Sequence, residues 1–191
     1  MIPEQCAQGQ SSAELLDYWL GELGQERADT VEAHVFDCAE CAERLADMTE
    51  LAAGIRDAVR GSRIHSVITH AVLNKLSRDG LHIRTYTPEA GGVMPCAVWP
   101  EDDLIVTQLK GDFTGYDELS LVLEADAVGE LNHDPDIPLV SGGHEILTAV
   151  SAAQLRQLPS MRLRIIVSGK RGGRDQVVAE YGLEHAGPVS R

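Results

Sequence analysis

The segment His34-Val35-Phe36-Asp37-Cys38-Ala39-Glu40-Cys41 constrains this chain more than any other. It sets an imidazole and two thiols as H-x3-C-x2-C between helix-like flanks. Residues i and i+4 share one helix face, so His34 and Cys38 can address a common centre. Cys41 follows at the opening of the next helical run, where backbone N–H groups and the positive end of the helix dipole favour a thiolate. Three such ligands within eight residues suit tetrahedral zinc. A closed structural site needs a fourth ligand. Cys6, 28 positions before His34, is the first candidate and would complete a Cys3His set. Water, Asp37 and Glu40 are its rivals. Two other readings of the pair compete with metal. A thioredoxin-like CxxC needs a βαβ context, whereas the flanks here are helical. Plain burial of the thiols is the other.

Four cysteines are expected to serve metal rather than disulfides in a chain read as cytosolic. That location is an expectation from the sequence. No apolar run approaches a bilayer span, and Met1-Ile2-Pro3-Glu4-Gln5 lacks signal-peptide character. The 191 residues allow two small domains or one medium one, and a hydrophobic content of 43% supports a packed core. Formal charge is −14, with Asp and Glu crowding the N-terminal third. Such a surface repels phosphate, so direct nucleic-acid binding is not expected. A basic protein surface is its natural partner.

Along the chain, Ser11-Ser12-Ala13-Glu14 reads as a capping box ahead of Leu15, Leu16, Trp19, Leu20 and Leu23, with Gly24 expected to close that helix. A second helix is expected from 26 to 36 on Val31 and Val35. A third, from 39 to 59, carries Leu45, Met48, Leu51, Ile55 and Val59. After a break at Gly61-Ser62, a fourth helix is expected over 63–78, with Ile64, Val67, Ile68, Val72, Leu73 and Leu76. Beyond Gly80 the texture becomes strand-like at 82–87, 104–109, 119–124, 145–150, 161–167 and 176–181. A helical insert is read at 152–158 and a turn at 132–136. The expected fold class is α+β: a four-helix zinc-binding domain over 1–80, then a β-sandwich-like or small-barrel domain over 81–191.

Residues 6–60 resemble the zinc-binding anti-sigma domain, also described as the zinc-finger anti-sigma family. The likeness rests on Cys6, on the segment Tyr18-Trp19-Leu20-Gly21-Glu22-Leu23, on the acidic second helix and on H-x3-C-x2-C. The spacing from Cys6 to His34 is longer than is usual in that family. The paired H-x-H of the cupin that follows in some members is absent, so no second metal is carried over. The resemblance implies zinc held by Cys6, His34, Cys38 and Cys41. It also implies a non-catalytic protein that sequesters an extracytoplasmic-function-type sigma factor by lying between its two DNA- and polymerase-binding domains. Ile64, Ile68 and Leu76 of the fourth helix would supply an apolar partner-binding face.

Release has two expected routes. Oxidation can join Cys6 to Cys38 or Cys41 and eject zinc. Alternatively, the β domain senses a ligand, with His133, Asp134, Asp136 and His144 as the groups to inspect. The lone thiol Cys96 is expected to be structural. An adaptor acting through its β domain is the alternative to an anti-sigma factor. A metal hydrolase using His133, Asp136 and His144 lacks a nucleophile–base pairing.

Overall fold

The computed structural model describes residues 10–60, 65–126, 128–137 and 143–187, the side chains of 51–60 and 65–66 excepted. The chain divides into two compact units. The first comprises Met1–Asp57 with Ala71–Asp79, and the second Ala58–His70 with Gly80–Arg191.

The helical unit begins with α1 (Ser12–Leu20). Ser11 caps it, its hydroxyl accepting the Glu14 N–H at 3.1 Å. The reciprocal half of the expected capping box does not form among the described bonds, because the Glu14 carboxylate accepts from Arg27 Nε at 2.5 Å. The helix stops at Gly21 rather than Gly24. Gly21 has φ +70°, and the Glu22 N–H returns to the Asp17 carbonyl at 2.9 Å, a Schellman closure that only a residue at ease in the left-handed region supplies cheaply. Gly24 instead precedes α2 (Gln25–Asp37), and Leu23 lies between the two helices. Next comes α3 (Ala39–Arg60), the expected third helix; the side chains of Leu51, Ile55 and Val59 lie outside the described residues.

The expected fourth helix is corrected. Residues His65–Ile68 form strand β1, and α4 spans only His70–Arg78. Gly61, Ser62 and Ile64 lie outside the described residues. Within the helical unit, α4 closes the end of α1. Arg78 donates to the Leu20 carbonyl, and Lys75 Nζ lies 5.0 Å from the Trp19 ring centre.

Among the described residues the β unit holds β1 and eight further strands: β2 (Ile83–Tyr86), β3 (Val93–Ala97), β4 (Leu104–Lys110), β5 (Glu118–Ala125), β6 (Gly129–Asp134), β7 (Glu145–Ser151), β8 (Met161–Arg171) and β9 (Arg174–Ala186). The short α5 (Ala152–Leu155) follows β7. They form two mixed sheets, ordered β1-β7-β4-β2 and β3-β9-β8-β5-β6. The pairs β2–β4 and β3–β9 are parallel and the other pairs antiparallel. One buried cluster draws Ile105, Leu109 and Ile146 from the first sheet and Leu121, Leu163, Ile165, Val167 and Leu183 from the second. Two tyrosines tie the sheets together. Tyr86 Oη donates to the Ala97 carbonyl at 2.5 Å and accepts its N–H at 2.9 Å, and Tyr181 Oη donates to the Lys110 carbonyl at 2.8 Å. No closed barrel forms among the described residues.

Candidate metal centre

The centre is built where α2 hands over to α3. Val31, fully buried, anchors α2 on Leu15 of α1. His34 stands one turn further along that helix. The helix ends at Asp37 because Cys38 is extended, with φ −120° and ψ 102°. The Cys38 carbonyl then accepts the Ala42 N–H at 3.0 Å, which starts α3. A single extended residue between two helices thus carries one thiol. The other, Cys41, falls in the first turn of α3 and is fully buried within the cluster of Leu15 and Val31.

One ligand atom from each of His34, Cys38 and Cys41 lies within 4.8 Å of the other two. The sequence spacing therefore does bring these three together, as a group that can hold a metal ion. Two thiols and an imidazole are the donors that soft and borderline divalent ions take. Among the described residues no cysteine forms a disulfide, and no other three His, Cys, Asp or Glu side chains make such a group. Cys6 lies outside the described residues. Its carboxylate rivals are exposed, and Glu40 Oε1 is engaged by Arg44 Nη2 at 2.5 Å.

The remaining expected site residues are not drawn into one place. Ile68 sits in β1 opposite Leu147, and Leu76 is buried, so the continuous exposed helical face expected from Ile64, Ile68 and Leu76 is not formed. Ile64 lies outside the described residues. The turn expected at 132–136 is instead strand as far as Asp134: His133 opposes Val122 within β6, and Asp136 and His144 are exposed beyond it. Cys96 is buried in β3. Burial pushes its thiol up to about 11, against the pull of a hydrogen bond with Tyr86. At neutral pH it stays a protonated, unreactive core residue.

Two residues of interest, Phe36 and Arg44, were given no role in the sequence reading, and Leu16, read as part of the apolar run of α1, is exposed. Phe36 and Leu16 are exposed apolar side chains in the helical unit. Arg44 is a buried cation one turn beyond Cys41. The signal for Arg44 was the Glu40/Arg44 spacing of four, which reads equally well as an ordinary surface ion pair.

No protein-family model matches this chain, nor does any curated protein. Nine solved chains resemble it. One is the N-terminal domain of phage TP901-1 ORF48, with 12% identity and a TM-score of 0.32 over 55% of this chain and 97% of that one. A likeness at that level carries no assignment of fold or function.

Proposed function

We propose that the chain is a zinc-stabilised anti-sigma factor. It binds an extracytoplasmic-function-type sigma factor through its helical unit, in the cytoplasm, with no catalytic step and without itself touching nucleic acid or membrane. The observation that carries this reading is the convergence of His34, Cys38 and Cys41 within 4.8 Å, at the α2–α3 junction that follows the Tyr18–Leu23 segment. Tetrahedral zinc sets sulfur and nitrogen donors about 3.5–3.8 Å apart, so the three need only close slightly around an ion. Cys6 is the proposed fourth ligand. Zinc bound there supplies structure. It neutralises thiolates that would otherwise be costly beside Leu15 and Val31, and it pins α2 to α3.

Partner recognition follows from surface chemistry. The helical unit offers carboxylates at Asp29, Glu32, Asp37 and Glu40 around the exposed Phe36. A groove of about 470 Å³ is lined by Tyr18, Trp19, Leu23 and Leu45 of the same unit. Acidic groups steer a basic promoter-binding surface, while apolar anchors slow dissociation. Leu76 and Ile68 serve packing in this reading. Loss of zinc on thiol oxidation, or a ligand taken up by the β unit, would release the partner.

Co-expression with the sigma factors of its own genome, followed by size-exclusion chromatography and metal analysis, tests the proposal. The expected product is a one-to-one complex containing one zinc. A zinc-loaded, folded protein that retains none of them would overturn the assignment.

A further inference from the structure

The two thiols at the α2–α3 junction differ in their access to solvent. Cys38 is half-buried and is the extended residue just before α3, whereas Cys41 is fully buried in the cluster of Leu15 and Val31. Their sulfurs lie within 4.8 Å of one another, and both thiols are free of any disulfide. The Cys38 carbonyl accepts the Ala42 N–H, so Cys38 caps α3 and Cys41 is the third residue of that helix. Those two positions face each other, which is why a side chain at the first can reach the backbone of the second in an ordinary cap. A disulfide sets its sulfurs about 2.05 Å apart, a distance these two reach by turning about their Cα–Cβ bonds. The chain closed between them is so short that joining them orders almost nothing further.

We infer that Cys38 and Cys41 form a disulfide with each other when a hydroperoxide reaches this junction, Cys38 being the sulfur attacked and Cys41 the one that resolves it. The pairing stands on the placement of the two sulfurs. Its part in releasing a metal, and with the metal a partner, rests on the zinc reading and specifies how that site is regulated. Access sets the order, because peroxide meets the half-buried sulfur before the enclosed one. In the first step Cys38 takes an OH from the peroxide and becomes a sulfenic acid. The O–O bond breaks, and the other oxygen departs as water with the thiol proton. Cys41 then attacks that sulfur. The S–S bond forms, the S–O bond breaks, and the OH leaves as water with the Cys41 proton. Two thiols and one peroxide thus become one disulfide and two waters. No third cysteine takes part, so Cys6 is not needed. The joined sulfurs are no longer thiolate donors, which leaves His34 alone of the three to face an ion.

The test uses the full chain, zinc-loaded and metal-free, as wild type and as the Cys6→Ser, Cys96→Ser double variant, in which Cys38 and Cys41 are the only thiols. Trypsin cuts after Arg27 and Arg44, so residues 28–44 leave as one peptide with both cysteines, while Cys6 leaves on residues 1–27. After a stoichiometric dose of hydrogen peroxide and blocking of the remaining thiols, the 28–44 peptide should be two hydrogens lighter and carry no blocking group. Brief exposure with dimedone present should place the adduct on Cys38. In metal-free protein the disulfide should form in the double variant at a rate within about twofold of wild type. In zinc-loaded wild type, metal passed to a chromophoric chelator should rise in step with the disulfide, and dithiothreitol should restore both thiols. A main product joining residues 1–27 to 28–44 overturns the inference. So does a double variant whose 28–44 peptide stays reduced or halts at the sulfinic acid, and so does dimedone captured at Cys41 rather than Cys38. A chain that takes up no zinc yet forms the disulfide overturns the zinc reading and leaves this pairing standing.

Discussion

His185 is fully inside the β unit, at β9 opposite Cys96 of β3 and Met161 of β8, and neither ring nitrogen makes a hydrogen bond of good geometry among the described residues. Burial pulls its pKa below the usual histidine value, and the nearby carbonyls of Leu158 and Leu155 only partly oppose this. The folded chain thus resists a proton that the unfolded chain accepts. Stability is intact above the unfolded pKa and falls as pH drops from about 6.5 through the lower folded value. Urea titrations at about pH 7.5 and about pH 5.5 should show a lower midpoint at the acid value, and His185→Leu should remove most of that difference. An unchanged pH dependence in the variant would locate the titration elsewhere. Asp102 makes the opposite case of a buried charge kept ionised. Burial alone would raise its pKa, but bonds from Arg84 Nε at 2.8 Å, Arg84 Nη2 at 3.0 Å and the Trp99 N–H at 2.8 Å hold it below the normal range. Asp102→Ala strands the Arg84 head group and unties the loop before β4. It should cost about 2–3 kcal/mol in chemical denaturation, whereas a surface change such as Asp175→Ala should cost under about 0.5 kcal/mol.

At the scale of elements, an ion held by His34, Cys38 and Cys41 would join α2 to α3 across one extended residue, so on the zinc proposal those helices have most to lose. Zinc binding in small sites contributes on the order of 10 kcal/mol, more than the core of Leu15, Val31 and Cys41 can replace. Cys41→Ser, or a strong chelator, should lower helical circular dichroism and abolish the first thermal transition. The transition of the two-sheet core should remain. A fully helical zinc-free protein would show that packing alone holds the junction. The junction was legible in sequence because its chemistry is local: Cys38 is four positions after His34, Cys41 three positions further on, and helix geometry does the rest. Ser11 as the cap of α1 was legible for the same reason. What could not be read is non-local. Val67 and Ile68 fit a helical spacing, yet their backbone pairs with Thr148 and Leu147, some 80 residues downstream. β3 was hidden by Pro95, which an edge strand tolerates because β9 pairs it on one side only. Two readable signals were passed over. Gly172-Gly173 marks the tight turn joining β8 to β9, both glycines having positive φ (57° and 77°), which is why those strands run longer than expected. Gly21 was equally available as the stop for α1.

For the whole molecule, the proposed function makes the formal charge of −14 set how a partner would arrive and the exposed apolar groups set how long it would stay. Phe36 is the sharpest case. It is 82% exposed on α2, next to the turn that carries Cys38, and an aromatic ring so placed does nothing for the fold of the helical unit. Burying it against the proposed sigma-factor partner would contribute about 1.5–3 kcal/mol. Phe36→Ser should therefore weaken the complex by roughly tenfold or more, chiefly through faster dissociation, while zinc content and the thermal transition stay as in wild type. Replacing Glu32 and Asp37 by Gln and Asn should act differently. It should slow association and flatten its dependence on salt, because steering by exposed charge is screened over about 10 Å at ordinary ionic strength. Stopped-flow mixing with the partner over a range of salt concentrations separates the two effects. Unchanged dissociation in Phe36→Ser would take α2 out of the interface and leave the Tyr18–Trp19 groove as the contact surface. Faster dissociation with an unaltered salt slope would mark Phe36 as an apolar anchor set beside the α2–α3 junction, where, on the zinc proposal, oxidation of the thiols would dislodge it.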